Sequence, residues 1–289
     1  MKALVLSGGG AKGAYQVGVL RHLLADLHEQ YEVVCGVSVG ALNASFLAQY
    51  PIGNEVASYN DIRELWESLS TRSIYKKWNI FGELMAFFKK SVYNSEPLQH
   101  LVRSRLDVEA VRNSGKKLRV GAVELESGLY RSFAEDYSLL TEAILASASY
   151  PAMLCPIRLE GKLWTDGGVR NITPLREAIE LGASDIHVVQ CAPKDAMYAE
   201  KKIKNALTVA ERAIDIMSDE IVDNDLRMTQ LINEVIVIHK HFGKKRLINV
   251  KVIRPKEVLG DSLDFDQDAL RPMFEKGYKD AIEQMRSDA

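Results

Sequence analysis

Two short apolar runs each end in a glycine-bearing turn that opens a helical pattern, and this pairing restricts the chain more than any other feature. The first, Ala3-Leu4-Val5-Leu6, passes through Ser7 into Gly8-Gly9-Gly10; the second, over 33–37, runs through Gly36 into Ser38, Val39 and Gly40. Continuous apolar runs this short read as strands buried on both faces. Helical spacing follows the first turn, with Val17, Leu20, Leu23, Leu24 and Leu27 on one face of a helix expected over 14–28. A second helix is expected over 38–49. A β-α-β-α opening predicts parallel strands, and so places both turns at one edge of one sheet.

Further along, residues 61–106 are expected to be helical, with Ser95 as an N-cap and Pro97 in the first turn of the last helix. Two hairpins are expected, 118–124 with 129–133 and 157–159 with 163–165, the second running into Asp166-Gly167-Gly168. A helix over 174–181 stopped by Gly182, a buried strand over 186–190, a long helix after 201, a strand over 248–253 and a last helix from about 267 complete the pattern. Residues 234–239 fit helix or strand equally. With no repeat, linker or compositional break, a single domain over 1–289 is expected, with a motif-bearing core over about 3–190 and a mainly helical extension over about 195–289.

With 47% apolar and 26% charged residues the chain is an ordinary globular one, which excludes disorder. A net charge of −2 speaks against a nucleic-acid partner. Cys35, Cys155 and Cys191 are odd in number and set in apolar stretches, the pattern of reduced thiols rather than of a disulfide frame or zinc site. The four apolar residues before the glycines are too few for a signal-peptide core, and no long apolar run occurs, so a cytoplasmic protein, at most peripheral to a membrane, is expected.

Gly8 to Gly13 satisfies G-x-G-x-x-G between a strand and a helix, but the acidic residue that a dinucleotide ribose requires after the second strand is missing. A P-loop is excluded because Gly13 follows Lys12. Gly36-Val37-Ser38-Val39-Gly40 is G-x-S-x-G, placed at a strand end that opens a helix, where a sharp turn presents the serine hydroxyl. The triple glycine offers backbone N–H groups to an oxyanion at a helix start.

A nucleophilic serine needs a base. His187, His239 and His241 are the candidate histidines, none with motif context; His22, His28 and His100 lie on expected helices. Asp166 is the alternative, because Gly167 and Gly168 let its carboxylate approach another backbone segment. An ordinary Asp-Gly turn would give the same string. No Asp/Glu/His group has metal-ligand spacing, and no cofactor or metal is implied.

Four blocks in order, Gly-Gly-Gly-Ala-Lys-Gly at 8–13, Gly-Val-Ser-Val-Gly-Ala-Leu-Asn-Ala at 36–44, Ala-Ser-Ala-Ser-Tyr-Pro-Ala at 146–152 and Asp-Gly-Gly-Val-Arg-Asn-Ile-Thr-Pro at 166–174, resemble those of the patatin-like phospholipase family. The resemblance implies a three-layer α/β/α fold with a mostly parallel central sheet and additional C-terminal helices. It implies a dyad of Ser38 as nucleophile and Asp166 as base without a histidine, and an oxyanion hole at Gly8, Gly9 and Gly10, to which the N–H of Val39 is added. Lys12, Gly13, Gly36, Gly40, Gly167 and Gly168 support these motifs. Phospholipid or lysophospholipid acyl esters are the implied substrates. A His-dependent esterase and a non-catalytic binding protein on the same fold are the alternatives.

Between Ile74 and Tyr93 the chain sets Tyr75, Trp78, Ile80, Phe81, Leu84, Met85, Phe87 and Phe88 between the pairs Lys76-Lys77 and Lys89-Lys90. Aromatic and apolar residues flanked by lysines suit an interfacial helix at a peripheral membrane surface, overhanging the serine as a lid. A helix buried in the protein's own core would carry the same residues.

Overall fold

The computed structural model describes residues 1–78, 89–194, 203, 206–238 and 247–286. Its strands are β1 (Lys2–Leu6), β2 (Val33–Val37), β3 (Lys117–Glu124), β4 (Tyr130–Ala134), β5 (Ile157–Leu159), β6 (Lys162–Asp166), β7 (Asp185–Val189) and β8 (Asn249–Ile253). They form one sheet in the order β5-β6-β3-β2-β1-β7-β8, with β4 also paired to β3. The stretch β3-β2-β1-β7-β8 is parallel throughout, whereas β4 and β6 run antiparallel to β3.

Burial of both faces explains why these strands read as unbroken apolar runs. On β1, Leu4 and Leu6 enter the larger core, while Ala3 and Val5 enter a second core on the opposite face. Helices α1 (Gly13–Leu20), α2 (Val39–Leu47), α3 (Glu55–Glu67) and α7 (Leu140–Ser147) cover the first face, joined by α10 (Gln267–Arg286) from the far end of the chain. Leu175 and Ala178 of α8 (Leu175–Glu180), with Leu226 of α9 (Ala206–Ile238), pack on the second. The outcome is the expected three-layer arrangement around a mostly parallel sheet.

The stretch expected to be helical over 61–106 holds α3, a short α4 (Thr71–Ile74) and α5 (Glu96–Arg105), the last with Ser95 at its N-cap position and Pro97 in its first turn as expected. Between α4 and α5 the described ends are not helical. Tyr75 is extended, at φ −149° and ψ 162°, and Lys76 forms an isolated antiparallel bridge with Asn94. The chain therefore leaves and returns side by side, Tyr75 stacking on Tyr93 at 4.5 Å and its hydroxyl donating to the Leu263 carbonyl at 2.7 Å. The interfacial helix expected over 74–93 is corrected at both ends; Ile80, Phe81, Leu84, Met85, Phe87 and Phe88 lie outside the described residues. A helix that the spacing did not announce, α6 (Val108–Asn113), is capped by Asp107, whose carboxylate accepts the Ala110 N–H at 3.0 Å. Residues 234–238 resolve as the end of α9.

One detail of the topology builds the site. β2 pairs with residues 117–121 of β3, and β6 pairs with 122–124. Because β4 occupies the other edge of β3, from Arg119 to Val123, β6 must continue along the β2 edge. Val37 lies against Gly121 and Asp166 against Ala122, so two strands meet end to end with Ser38 and Asp166 at the junction.

Candidate active site

Ser38 sits at φ 58°, ψ −129°, a region that L-residues avoid. Strain of this kind amounts to about 1–3 kcal/mol and persists only where the surroundings enforce it. Here they do so through close backbone approach: a Cβ on Gly36 would lie 2.1 Å from the Gly40 carbonyl oxygen, and one on Gly40 would lie 2.2 Å from that of Leu6. The two outer glycines of the motif are thus dictated by space rather than by conformational freedom. The Ser38 N–H donates to Ser147 Oγ at 3.0 Å, which ties the elbow to the end of α7.

Asp166 is held as firmly. Its N–H donates to the Ser149 carbonyl at 3.1 Å, and Thr165 Oγ1 donates to the same oxygen at 2.8 Å. Oδ1 accepts the Gly168 N–H at 2.8 Å, while Oδ2 is buried and without a formed hydrogen bond among the described residues. Gly167 passes so close to β3 that a Cβ there would lie 2.3 Å from the Gly121 oxygen. The side chain is only 2% exposed. Burial pushes its pKa from 3.8 up to about 7, with the Ser38 hydroxyl and the Gly168 N–H each pulling the other way.

The glycine loop divides its donors. Gly8 N–H is engaged by the Ile172 carbonyl at 3.0 Å, so Gly8 lines the site but is not a free donor. The N–H groups of Gly9, Gly10 and Val39 have no backbone acceptor among the described residues. Gly10 takes a left-handed φ of 59°, and Ala11 N–H donates to the Ser262 carbonyl at 2.8 Å, so a loop from the C-terminal part of the chain pins the far side of the turn. Gly13 packs beneath, where a Cβ would meet Val39 and the Trp66 ring.

A buried polar chain, absent from the sequence reading, supports this loop from below. Trp66 Nε1 donates to Asn43 Oδ1 at 2.9 Å, Asn43 Nδ2 to Gln16 Oε1 at 2.9 Å, and Gln16 Nε2 to the Ser7 carbonyl at 2.7 Å. Each buried amide is thereby satisfied, and α1, α2 and α3 are locked in register under the two turns.

Around Ser38, Asp166 and the glycine loop opens a cavity whose far wall is apolar, formed by residues such as Leu42, Phe46, Leu69, Leu98 and Leu154. Lys12 also lines it. His187 does not: its Nδ1 is 2.7 Å from the Tyr31 hydroxyl, and burial pushes its pKa down to about 4. His239 and His241 lie outside the described residues. Among the described residues no three His, Cys, Asp or Glu side chains stand together as a metal site.

The sequence model of the family described as "Patatin-like phospholipase" matches residues 4–179. Similar proteins include the uncharacterized protein YjjU of Escherichia coli, 26% identical over 70% of this chain and 55% of that protein. A cGAMP-activated phospholipase of Pseudomonas aeruginosa is 25% identical over 59% of this chain and 53% of its own length. Triacylglycerol lipase 4 of Saccharomyces cerevisiae is 27% identical over 65% of this chain and 24% of the lipase. The chain thus spans at most about half the length of these relatives. Among solved structures, VipD from Legionella pneumophila superposes with a TM-score of 0.51 at 16% identity, over 99% of this chain and 67% of that one, a likeness of fold. The glycine loop, the serine elbow and the Asp-Gly-Gly turn all fall within the matched residues, and the chain belongs to the patatin-like phospholipase family.

Proposed function

We propose that this chain is a lipid acyl hydrolase that cleaves fatty-acyl esters of phospholipids or lysophospholipids through a Ser38–Asp166 dyad and an acyl-serine intermediate. The observation that carries the reading is the end-to-end meeting of β2 and β6, which sets a strained serine beside a buried carboxylate at the mouth of an apolar cavity. Ser38 Oγ attacks the ester carbonyl carbon, and its proton passes to Asp166 Oδ2, the oxygen without a hydrogen bond. The N–H groups of Gly9 and Gly10, with that of Val39, receive the oxyanion; each such donor lowers the barrier by about 3–4 kcal/mol.

Asp166 then returns the proton to the departing alkoxide. In the second half, a water gives a proton to Asp166 as it attacks the acyl-serine, and Asp166 passes that proton to Ser38 Oγ as the bond to the acyl carbon breaks and the fatty acid leaves. A carboxylate in water is too weak a base for this work. Desolvation, by raising the pKa to about 7, brings Asp166 near the range where a general base is most effective. The apolar wall takes the acyl chain, exchanging water for side-chain carbon at roughly 0.8 kcal/mol per buried CH₂.

The membrane surface is the expected partner, because the substrate resides there. No helix of the described residues is long and apolar enough to cross a membrane. Residues from about 195 onward are read as an extension of the same domain, since β8 completes the sheet and α10 packs on α1.

A fluorophosphonate tests the reading directly. The reagent is expected to label the protein once, at Ser38, and Ser38→Ala should lose both labelling and ester hydrolysis with its circular dichroism unchanged. Labelling at another residue, or hydrolysis surviving in Ser38→Ala, refutes the dyad.

A further inference from the structure

The turn that follows Asp166 touches both halves of the proposed catalytic machinery. Its Gly168 N–H holds Asp166 Oδ1 at 2.8 Å, and at its other end the Ile172 carbonyl holds the Gly8 N–H at 3.0 Å. In between, the N–H groups of Arg170 and Asn171 both donate to the Gly167 carbonyl, at 3.0 and 2.9 Å, so residues 166–172 form one hydrogen-bonded unit. A displacement of this unit carries the base and the start of the glycine loop with it.

Against this unit stands a buried carboxyl that the proposed chemistry does not use. Glu177 of α8 is 8% exposed. Its Oε1 accepts the Tyr130 hydroxyl at 2.7 Å, and Asn171 Nδ2 donates toward both of its oxygens, at 3.1 and 3.3 Å. Asn171 Nδ2 is also 3.3 Å from the Tyr130 hydroxyl, so β4, the turn and α8 meet in one closed set of polar groups. Gly121 makes room for the set: a Cβ there would lie 2.1 Å from the Tyr130 hydroxyl oxygen. Gly121 is also the residue opposite Val37, and its carbonyl is the group that Gly167 passes, so the set adjoins the junction of Ser38 and Asp166. Burial pushes the Glu177 pKa up, while the Tyr130 hydroxyl and the Asn171 amide pull it back. A buried carboxyl is costly unless its oxygens are satisfied, and here the groups that satisfy it are those that hold the turn. Glu177, Tyr130 and Asn171 all stand outside the described lining of the cavity, so none of them acts by touching substrate.

We infer that Glu177, with Tyr130, is a positioning residue: it fixes Asn171, and through Asn171 the 166–172 turn that aims the Asp166 carboxyl at Ser38 and seats the glycine loop. The inference rests on the reading of Ser38 and Asp166 as the dyad. One anchor thereby sets the base and the oxyanion donors together, and its loss costs turnover rather than substrate binding.

The test measures kcat and KM for a soluble p-nitrophenyl ester in the wild type, Glu177→Leu, Glu177→Gln and Tyr130→Phe, well below their melting temperatures. Glu177→Leu is expected to lose kcat about tenfold or more with KM held within about twofold, since a shift of about 1 Å at the reacting groups costs up to about a hundredfold. Glu177→Gln keeps an oxygen for the Tyr130 hydroxyl. It also offers an N–H to Asn171 Oδ1, which is buried and without a partner among the described residues, once the Asn171 amide turns over. Its kcat is expected within about threefold of the wild type. Because the Gly168 N–H pulls the Asp166 pKa down, a loosened turn should also move the inflection of kcat/KM upward in Glu177→Leu. Glu177→Gln has lost the same charge and should not show that shift. A kcat and an inflection like the wild type's in a folded but less stable Glu177→Leu would mark a purely structural carboxyl and overturn the inference; equal losses in the Leu and Gln variants would trace to charge and overturn it too. Where Glu177→Leu does not fold, Tyr130→Phe, which deletes only the hydroxyl, decides: kcat should fall severalfold at constant KM, and an unchanged kcat refutes the anchor. A second measurement needs no turnover. Amide hydrogen exchange of peptides covering Gly8 and Gly168 should be faster in the Glu177→Leu and Tyr130→Phe proteins than in the wild type, with β1 and β7 still protected, and equal exchange overturns the inference. A wild type without esterase activity refutes the hydrolase reading alone; the exchange rates then decide the anchor.

Discussion

On the proposed dyad, replacing Asp166 with Asn should move activity and stability in opposite directions, because a carboxyl that serves as the base is buried at the expense of the fold. In the unfolded chain this group ionises near 3.8; in the folded protein it holds its proton up to about 7. Between those limits the native state binds more protons than the unfolded state, so stability falls as pH rises. The stabilisation of the neutral acid is fully present below the unfolded pKa and is lost once pH passes the folded one. The interval is about three pH units, which corresponds to about 4 kcal/mol of destabilisation once Asp166 is ionised.

Asparagine has the same shape, keeps an oxygen for the Gly168 N–H, and carries no titrating proton. Urea unfolding of both proteins across about pH 4 to 8, extrapolated linearly to water, isolates the effect, since groups common to both cancel in the difference. Asp166→Asn is expected to gain on the wild type as pH rises, by up to about 4 kcal/mol above pH 7, and then to level off. Hydrolysis of a soluble p-nitrophenyl ester should fall about a hundredfold or more, the usual scale for a lost general base. For the wild type, kcat/KM should rise with pH through about 7, as the base deprotonates. A stability gap that is flat with pH, or a wild-type rate with no inflection in that region, would refute the desolvated-base account.

Three further outcomes follow from named contacts. Ser147→Ala removes the acceptor of the Ser38 N–H, and the orphaned donor should lower stability by about 1–3 kcal/mol and slow fluorophosphonate labelling of Ser38; thermal melts and labelling rates check both. His187→Gln should leave kcat within about tenfold, because His187 is bound to Tyr31 and does not line the cavity; a larger loss in steady-state assays would restore a histidine route. Gly277→Ala places a Cβ 2.1 Å from the Tyr15 carbonyl oxygen, backbone against backbone, so α10 must move off α1 at a cost of about 1–3 kcal/mol; a melting temperature equal to the wild type would show that the helices yield freely.

The parts of this fold that were legible in the sequence are those whose neighbours are local or whose role needs a residue type. Strands β1, β2 and β7 announce themselves because both faces are buried, and the elbow announces itself because only glycine fits at 36 and 40. The return of the chain through Lys76 and Asn94 was not legible, since apolar residues at mixed spacing fit a helix and a folded-back segment alike. Nor was the contact that sets Gly8 apart from Gly9 and Gly10. Gly8, Gly9 and Gly10 are one residue type in sequence, and the Ile172 carbonyl, brought in by the turn after Asp166, separates Gly8 from Gly9 and Gly10, whose N–H groups have no backbone acceptor among the described residues. Ser147 stood inside a recognised block without a role, because its partner is 109 residues away.

The most consequential of these silent contacts come from beyond residue 179, where the family match ends. β7 pairs the open edge of β1 and β8 pairs β7, so the strand that delivers the glycine loop is an inner strand only when the later chain is in place. α10 crosses α1 at backbone distance, with Gly18 against the Phe274 carbonyl and Gly277 against that of Tyr15, and the Tyr15 hydroxyl donates to buried Asp280 at 3.1 Å. The Ser262 carbonyl then accepts the Ala11 N–H beside Gly10. Helix α1 is thus gripped along its length by α10, while its leading turn is gripped by the Ser262 loop. The proposed oxyanion donors are consequently positioned against Ser38 by two parts of the chain: the elbow from within the matched core, and the glycine loop in large part from outside it. A backbone carbonyl such as that of Ser262 has no sequence signature, which is why a segment that carries none of the motifs nonetheless sets the geometry in which they meet.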